Sequence, residues 1–303
     1  MDMRQLQALV AVADNRTFSA AADALATVQS NISAHIARLE RELGATLVDR
    51  GAGRLTEEGQ AVVDRARRIE AELEAIVSDV AALTADVTGR VRAGMIGTTA
   101  RWLVPRLLEE MDQRHPGVRM EIVDATSTSL EPQVVSGRLE LAVVNLPLST
   151  PELFGVPLFD EDLFLFVQPG SPLADAAELT LDQLSEIPLY LPPRGTAFRD
   201  LVDTATSAAG VRLRARAELD GLRLIASLVM AGQGAAILPA TAVPLPLPSG
   251  TRALRVAGLP RRAVGVAQRR RGLPSAATRA FLEVLQQVVA AQVAPEQGLH
   301  PPG

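Results

Sequence analysis

The side chains with the clearest chemical role in this sequence are short polar groups at the start of one predicted helix. Gln29, Ser30 and Ser33 lie in the segment TVQSNISAHIARLERELG, residues 27–44. Apolar residues of this segment recur every three or four positions, which predicts a helix with one buried face: Ile32, Ile36, Leu39 and Leu43. On the opposite face, hydroxyl and amide groups can approach another surface closely and form hydrogen bonds to the edges of DNA bases.

A second, shorter helix is predicted just before this one. It runs from about Ser19 to Ala26, with Ser19 as its candidate N-cap. The following helix is expected to start near Val28, with Thr27 in the cap position, and to end at Gly44. Two helices joined by a tight turn form a helix-turn-helix, in which the start of the second helix enters the major groove.

Residues 6–59 resemble the DNA-binding domain of the LysR-type transcriptional regulators. The resemblance rests on residue types at fixed spacing: Phe18, Ala21, Ala22, Leu25, Gln29, Ser30, Ser33, Ile36, Leu39, Glu40, Leu43, Gly44, Leu47, Arg50, Leu55, Thr56 and Gly59. The rest of the chain is also similar to this family. The resemblance implies a regulator whose partners are double-stranded promoter or operator DNA, a small-molecule effector and RNA polymerase.

The resemblance also implies which residues meet the DNA: Thr17, Ser19, Gln29, Ser30, Asn31, Ser33, Ala34, Arg38, Arg50 and Arg54. Free N–H groups at a helix start favour a phosphate near Thr17 and Ser19, although simple capping explains these two residues equally well. Ala34 stands where the family often carries arginine, so one contact is expected to be missing. The wing, residues 45–56, is shorter and less basic than usual in the family, which argues against a minor-groove contact by Arg54.

Composition limits the class of protein. The chain has 303 residues, 48% of them hydrophobic, which is enough for two or three domains. It has no cysteine, which excludes disulfide and thiolate chemistry. The N-terminal segment lacks the features of a signal peptide, and no apolar run approaches the roughly 18 residues that a membrane span needs. We therefore expect a cytoplasmic protein without a membrane partner.

The charge balance is unusual for a DNA-binding protein. The net charge is −5, and six arginines balance six acidic residues within residues 1–56. Non-specific attraction to DNA is therefore expected to be weak. Binding should depend on where the arginines lie and on the joint action of two copies.

A long helix is predicted after Thr56, whose hydroxyl can cap it and whose next two residues are acidic. Apolar residues repeat at alternating intervals of four and three: Val62, Ala66, Ile69, Leu73, Ile76, Val80 and Leu83. This heptad repeat predicts a coiled coil between two copies of the chain. The family's linker helix has the same place, which implies a homodimer or homotetramer.

Strands alternate with helices after Gly89, which predicts a parallel α/β sheet. We expect an α+β multidomain protein with a winged helix-turn-helix at 1–58, a linker helix at 59–88, an effector domain at 89–293 and a flexible tail at 294–303. The effector domain resembles the two-lobed periplasmic-binding-protein-like domain of the family. Its first lobe comprises 89–161 and 263–293, and its second lobe comprises 162–262.

Ligands of such domains bind in the cleft, at the carboxyl ends of strands. The candidate residues are Thr98, Thr99, Ser127, Thr128, Asn145, Arg194, Thr196 and Ile237. Thr98 and Thr99 mark a helix N-terminus and Arg194 could supply a matching charge, so the effector is expected to be anionic. Ordinary capping and turn chemistry remains the alternative for each residue.

Catalytic, metal and cofactor sites are not expected. The three histidines are scattered along the chain, and no nucleophile elbow or Walker loop is present. A solute-binding protein is the alternative function, since the second half of the chain alone would fit it. The N-terminal module and the missing signal peptide argue against that alternative.

Overall fold

The first part of the chain forms a winged helix-turn-helix. Its elements are α1 (Met3–Asn15), α2 (Phe18–Ala24), α3 (Gln29–Leu43), β1 (Val48–Asp49), β2 (Arg54–Leu55) and the long α4 (Glu57–Thr84). Strands β1 and β2 pair antiparallel and form the wing. The computed structural model describes residues 1–51, 53–84, 86–168, 170–171, 173, 176, 178–244, 246–247 and 250–303.

The chain divides into two units, which we describe separately. The first comprises residues 1–77 with 135–138, and the second comprises residues 78–134 with 139–303. The predicted N-terminal module, long helix and two-lobed α/β domain are all present. None of the helices in the described ranges is long and apolar enough to cross a membrane.

The core of the first unit confirms the predicted buried face of α3. Ile32, Ile36 and Leu39 are at most 1% exposed and pack with Leu9 and other apolar residues of α1 and α2. Leu43 was expected on the same face, but its side chain is 43% exposed. It lies in the last helical turn, directly before the left-handed residue that ends α3, and that turn extends beyond the core.

Two predicted helix caps are wrong by one or two residues. Thr17 caps α2 in place of Ser19, because Thr17 has an extended backbone and its Oγ1 accepts a hydrogen bond from Ala20 N at 3.1 Å. Val28 occupies the N-cap of α3, where no side chain in the described structure forms a capping hydrogen bond. The Thr27 hydroxyl instead accepts from Asn31 Nδ2 at 3.0 Å.

Helix α4 starts as predicted, since Thr56 Oγ1 accepts from Gly59 N at 2.9 Å. Its first turns differ from the prediction, because Ala66 is fully buried in the core of the first unit and Val62 packs partly against that core. These two side chains therefore pack α4 against its own module. They are not part of the predicted dimer interface. The later heptad residues are 40–86% exposed: Ile69, Leu73, Ile76, Val80 and Leu83.

The second unit contains two lobes. Lobe I consists of β3 (Gly89–Met95), α5 (Gly97–Arg114), β4 (Val118–Asp124), α6 (Ser127–Ser136), β5 (Leu141–Asn145), β6 (Leu153–Glu161), β13 (Arg262–Arg269), α9 (Ala276–Gln292) and β14 (Leu299–His300). Lobe II consists of β7 (Leu163–Val167), β8 (Glu178–Thr180), β9 (Pro188–Leu191), α7 (Ala197–Ala208), β10 (Arg214–Glu218), α8 (Leu222–Met230), β11 (Ala236–Pro239) and β12 (Arg252–Ala257).

The sheet of lobe I is mixed as a whole, although the three strands from which a parallel sheet was predicted are parallel to one another. Its strand order is β14-β6-β13-β5-β3-β4. Strand β3 pairs parallel with β4 and β5, as βαβ connections require. Strand β13 returns from lobe II and inserts between β5 and β6, antiparallel to both. The sheets of lobe II are the four-stranded β11-β7-β12-β8 and the parallel pair β9 and β10.

The C-terminal residues are ordered, which corrects the expected flexible tail at 294–303. A short 3-10 turn, Pro295–Gln297, leads into β14, which pairs with the end of β6. Asp162 N donates a 2.8 Å hydrogen bond to Gly298 O, and Leu299 is only 4% exposed. Without β14 the edge of β6 would be an unpaired strand edge, so pairing outweighs the local Pro/Gly composition.

Asp162 lies at the crossover between the lobes, as the single residue that separates β6 from β7. Its carboxylate lies 3.3 Å from Arg255, 3.0 Å from Arg261 and 3.0 Å from His300 Nε2. Burial by itself raises the pKa of this carboxyl, but hydrogen bonds from His300 and Arg261 outweigh burial and hold the pKa below its ordinary value. The charged form of Asp162 therefore stabilises the crossover.

Leu299→Ala should lower the free energy of unfolding of the second unit by about 2–3 kcal/mol, because it removes most of a buried side chain. Urea unfolding followed by circular dichroism measures this change. Glu296→Ala, an exposed change in the same segment, is the control and should alter stability by no more than about 0.5 kcal/mol. Equal unfolding midpoints for both variants would show that the packing of Leu299 in β14 does not stabilise the second unit.

The stabilising effect of the Asp162 charge should depend on pH. Because the folded pKa is lower than the unfolded value near 3.8, the contribution is present above that value and is lost as the pH falls through the folded pKa. Asp162→Asn should therefore be less stable than wild type at neutral pH, and the difference should shrink in strong acid. The stability difference caused by Asp162→Asn should also be smaller when it is measured in a protein that already carries Arg261→Gln, because one partner of the carboxylate is then missing. A difference that stays constant down to acid pH contradicts the assignment.

Candidate DNA-binding and ligand-binding sites

The outward face of α3 presents a helix start without a side-chain cap among the described residues. Gln29, Ser30, Ala34 and Arg38 are exposed, and Ser33 is half-buried. The N–H groups of an uncapped first turn remain available to an acceptor outside the helix. The small side chains add hydroxyl and amide groups without bulk, so this face is suited to close approach and hydrogen bonding.

The start of α2 forms a second part of the same surface. Thr17 and Ser19 are exposed, and the Arg50 guanidinium lies 5.6 Å from the centroid of the Phe18 ring. This cation–π contact holds a positive charge beside a helix N-terminus, an arrangement that suits a phosphate. Arg54 is exposed on the wing, and Asn31 is exposed although its amide donates to Thr27.

A cavity of about 180 Å³ lies within the second unit, where strands and helices of both lobes meet. Five of the predicted effector residues line it: Thr98, Ser127, Thr128, Asn145 and Thr196. These residues are distant in sequence and come from the start of α5, the start of α6, the end of β5 and the residue before α7. The structure therefore brings most of the predicted site together.

Three predicted effector residues do not line the cavity. Helix α5 begins at Gly97, so Thr98 lines the cavity, whereas Thr99 lies in the core with no exposed surface. Ile237 is 2% exposed and belongs to the apolar core of lobe II. Arg194 is exposed in the loop after β9, outside the described lining.

Four helices begin at this cavity: α5, α6, α7 and α8 each contribute residues of their first turn. The N-cap residues of α5, α7 and α8 are Ile96, Thr196 and Gly221, and in the described structure none of them forms a side-chain capping bond. Each helix start carries a partial positive charge. Their convergence makes the cavity favourable for negative charge.

The most buried charge of the cavity is Arg262, at the start of β13, which the sequence analysis missed. Its Nε donates to Glu161 Oε1 at 2.7 Å, its Nη2 donates to Thr98 Oγ1 at 2.8 Å, and its guanidinium lies 5.8 Å from the Phe198 ring centroid. Both Arg262 and Glu161 are at most 2% exposed. Arg262 and Thr98 are 164 residues apart, so no local pattern could have paired them.

Two further acids were also missed, both at the rim of the cavity. Asp124 at the end of β4 forms an ion pair with Arg223, and Asp220 lies just before α8. A Cβ on Gly97 would lie 2.8 Å from Asp124 Oδ1 and 3.0 Å from Arg223 Nε, so a larger residue here would displace this ion pair. Within the described ranges, no group of three or more His, Asp or Glu side chains could hold a metal ion.

Two sequence profiles of known protein families match this chain. The sequence profile described as "Bacterial regulatory helix-turn-helix protein, lysR family" matches residues 3–60. The profile described as "LysR substrate binding domain" matches residues 84–290. Between them, these two profiles include α3, the wing and all the residues that line the cavity.

Individual relatives are regulators of the same architecture. The chain is 32% identical to a probable hydrogen peroxide-inducible genes activator of Mycobacterium avium over 243 residues, covering 79% of this chain and 78% of the relative. It is 29% identical to the DNA-binding transcriptional dual regulator OxyR of Escherichia coli (strain K12), covering 80% and 81%. The solved structure of full-length CbnR with its target DNA is 26% identical, with a TM-score of 0.67 and coverage of 95% and 100%. The chain belongs to the LysR family of bacterial helix-turn-helix transcriptional regulators.

Proposed function

We propose that this protein regulates transcription in the cytoplasm by binding operator DNA as a dimer, and that a small molecule in the cavity of the second unit modulates this binding. The observation that carries the proposal is the exposed, uncapped start of α3, with Gln29, Ser30 and Ser33, inside a segment that matches the family's helix-turn-helix. The same match disfavours a solute-binding protein without a regulatory role.

Direct base recognition fits the chemistry of α3. The major groove of DNA is about 12 Å wide and admits a helix, and the amide of Gln29 can form paired hydrogen bonds with an adenine edge. Ser30 and Ser33 are small enough to let the helix approach. Arg38, Arg50 and the N-terminus of α2 supply phosphate contacts that fix the register of the helix.

The exposed row on α4 supports the dimer. Ile69, Leu73 and Ile76 expose 40–58% of their surface in a single chain, and Val80 and Leu83 continue the row at the same spacing. A row of exposed apolar residues at alternating steps of four and three is the pattern by which two helices pair. Two helix-turn-helix modules then read two half-sites, which compensates for the neutral charge of each module.

We expect DNA binding to be regulated by a ligand that binds in the cavity. The name of the Mycobacterium avium relative refers to induction by hydrogen peroxide. Peroxide signalling through cysteine requires a thiolate that can be oxidised, and the 303 residues of this chain contain no cysteine. We therefore propose an effector that binds reversibly, and a protein that acts by binding and not by catalysis.

Gln29→Ala and Ser33→Ala should each weaken specific DNA binding, because a lost base contact costs about 1–3 kcal/mol. Gel shifts on the promoter region beside the protein's own gene measure the change. Both variants should fold normally, since neither side chain is buried.

Gln7→Ala is the matched control for Gln29→Ala, since it makes the same change at an exposed position of α1. Its affinity for the promoter should equal that of wild type. If Gln29→Ala and Ser33→Ala also bind as tightly as wild type, the start of α3 does not read the bases.

Leu73→Asp should weaken the dimer and abolish operator binding while both lobes of the second unit stay folded. A leucine buried between two helices contributes about 1.5–3 kcal/mol per chain, and a buried charge adds a further cost. Sedimentation at micromolar concentration measures the oligomeric state. Leu273→Asp, the same change at a leucine that is 87% exposed and lies outside α4, should leave the dimer intact. An intact Leu73→Asp dimer would show that α4 pairs through another face.

A further inference from the structure

We infer that the cavity takes a small apolar molecule with a single carboxylate, and that Arg262 is the residue that selects it. This inference rests on the proposed role of the cavity as the effector site. Arg262 takes the place of Arg194 as the predicted source of positive charge, because Arg194 lies outside the cavity.

The donors of Arg262 are only partly used. A guanidinium has five N–H donors in a planar fork. Nε and Nη2 donate to Glu161, Thr98 and Thr241. Nη1 forms no hydrogen bond with the described part of the chain, although Arg262 lines the cavity and is 2% exposed. The two N–H groups of Nη1 on a buried cation are therefore left for a ligand, and an ionised carboxylate oxygen forms a strong, charge-assisted hydrogen bond with such a donor.

Neutral donors surround the same place. The Thr98 hydroxyl accepts from Arg262, so its own hydrogen is free to donate to a ligand. The Ser127 hydroxyl accepts from Asn145 N at 3.1 Å and is free to donate in the same way. Together with the four helix starts, these groups stabilise one negative charge without adding a positive charge of their own.

The ionised side chains limit the ligand to one negative charge. Arg262 and Arg223 contribute two positive charges, whereas Glu161, Asp124 and Asp220 contribute three negative charges. The formal charges of these five side chains sum to −1, so they supply no surplus positive charge for a second anionic group. The attraction for the first negative charge comes from the unused N–H groups of Arg262 and from the helix starts. A dicarboxylate or a phosphate dianion is therefore disfavoured.

The remaining lining is apolar, and its size suits a small ring or a branched chain. Ile96, Pro192, Phe198 and Leu222 line the cavity, whose volume is about 180 Å³. An apolar cavity of about 150 Å³ is large enough to bind benzene. The space therefore accommodates a phenyl or isopropyl group with a carboxylate directed at Arg262.

Two sets of matched compounds test the inference on the full-length protein by isothermal titration calorimetry. The first set is phenylacetate, phenylacetamide and phenylmalonate, which differ in having one carboxylate, a neutral amide or two carboxylates. The second set is 3-methylbutanoate, its amide and isopropylmalonate. In at least one set the monocarboxylate should bind roughly tenfold more tightly than both analogues, as expected for a charged hydrogen bond in a buried site.

Variants then test the role of Arg262. Arg262→Gln alone would leave Glu161 buried without its partner, so the informative variant is Glu161→Gln with Arg262→Gln, which keeps the pair neutral. Circular dichroism melting verifies that it folds. It should bind the acid and the amide within about twofold of each other. Arg194→Gln is the matched control, and it should keep the preference of wild type for the acid.

Three results would overturn the inference: no monocarboxylate binds, the amide or the dianion binds as tightly as the acid, or the double variant keeps the preference of wild type. The first two are decided on the wild-type protein, so they do not depend on how the variant folds. A gel shift with the wild-type protein distinguishes a wrong ligand class from a wrong proposed function. Operator binding without a carboxylate preference rejects only the ligand class, whereas a protein that does not bind its promoter rejects the function itself.

Discussion

The buried ion pair between Glu161 and Arg262 is the interaction on which the second unit depends. Two charges removed from water stabilise a fold only if their remaining hydrogen-bonding groups are satisfied. Glu161 meets this condition, because its Oε2 accepts from both the backbone N and the hydroxyl of Thr241, each at 2.9 Å. Arg262 meets it in part, because Nη2 donates to Thr98 while Nη1 has no partner in the described part of the chain. The pair thus joins the strands that leave and re-enter lobe I, the first turn of α5 and the segment after β11 of lobe II. The same ion pair consequently lies at the crossover between the lobes and, through Arg262, lines the cavity.

The crossover is reinforced on its other side by Asp162 and the C-terminal strand. Asp162 holds arginines from β12 and from the return crossing, and its backbone N–H donates to Gly298. Strand β14 covers the edge of β6, so the last residues of the chain stabilise the place where the lobes join. In the binding mode proposed above, a ligand would share the Arg262 guanidinium with Glu161 at this hydrogen-bonded junction, and a small displacement there would change how the lobes pack.

The first unit solves a different problem, which is close approach to DNA with little net charge. In the proposed complex with DNA, the small side chains and the uncapped first turn at the start of α3 would form short-range hydrogen bonds in place of long-range attraction. Arg50, held over Phe18, concentrates positive charge beside a helix start. Pairing of two chains through the exposed row on α4, as proposed, would add to this, because two weak modules held in one dimer bind DNA with a higher joint affinity than either module alone.

The sequence by itself determined what depends on local periodicity. The helix-turn-helix, the wing and the long helix follow from apolar spacing and turn residues. Thr98, Ser127 and Asn145 were predicted from their positions at strand ends and helix starts, and all three line the cavity. Only the tertiary structure decided which apolar side chains of the heptad pattern and of the α3 pattern are buried. Ala66 has heptad spacing but is buried in its own module, whereas Leu43 has core spacing but extends beyond the core. Arg262 reaches the cavity only because β13 inserts between β5 and β6, and a contact across 164 residues leaves no trace in local composition.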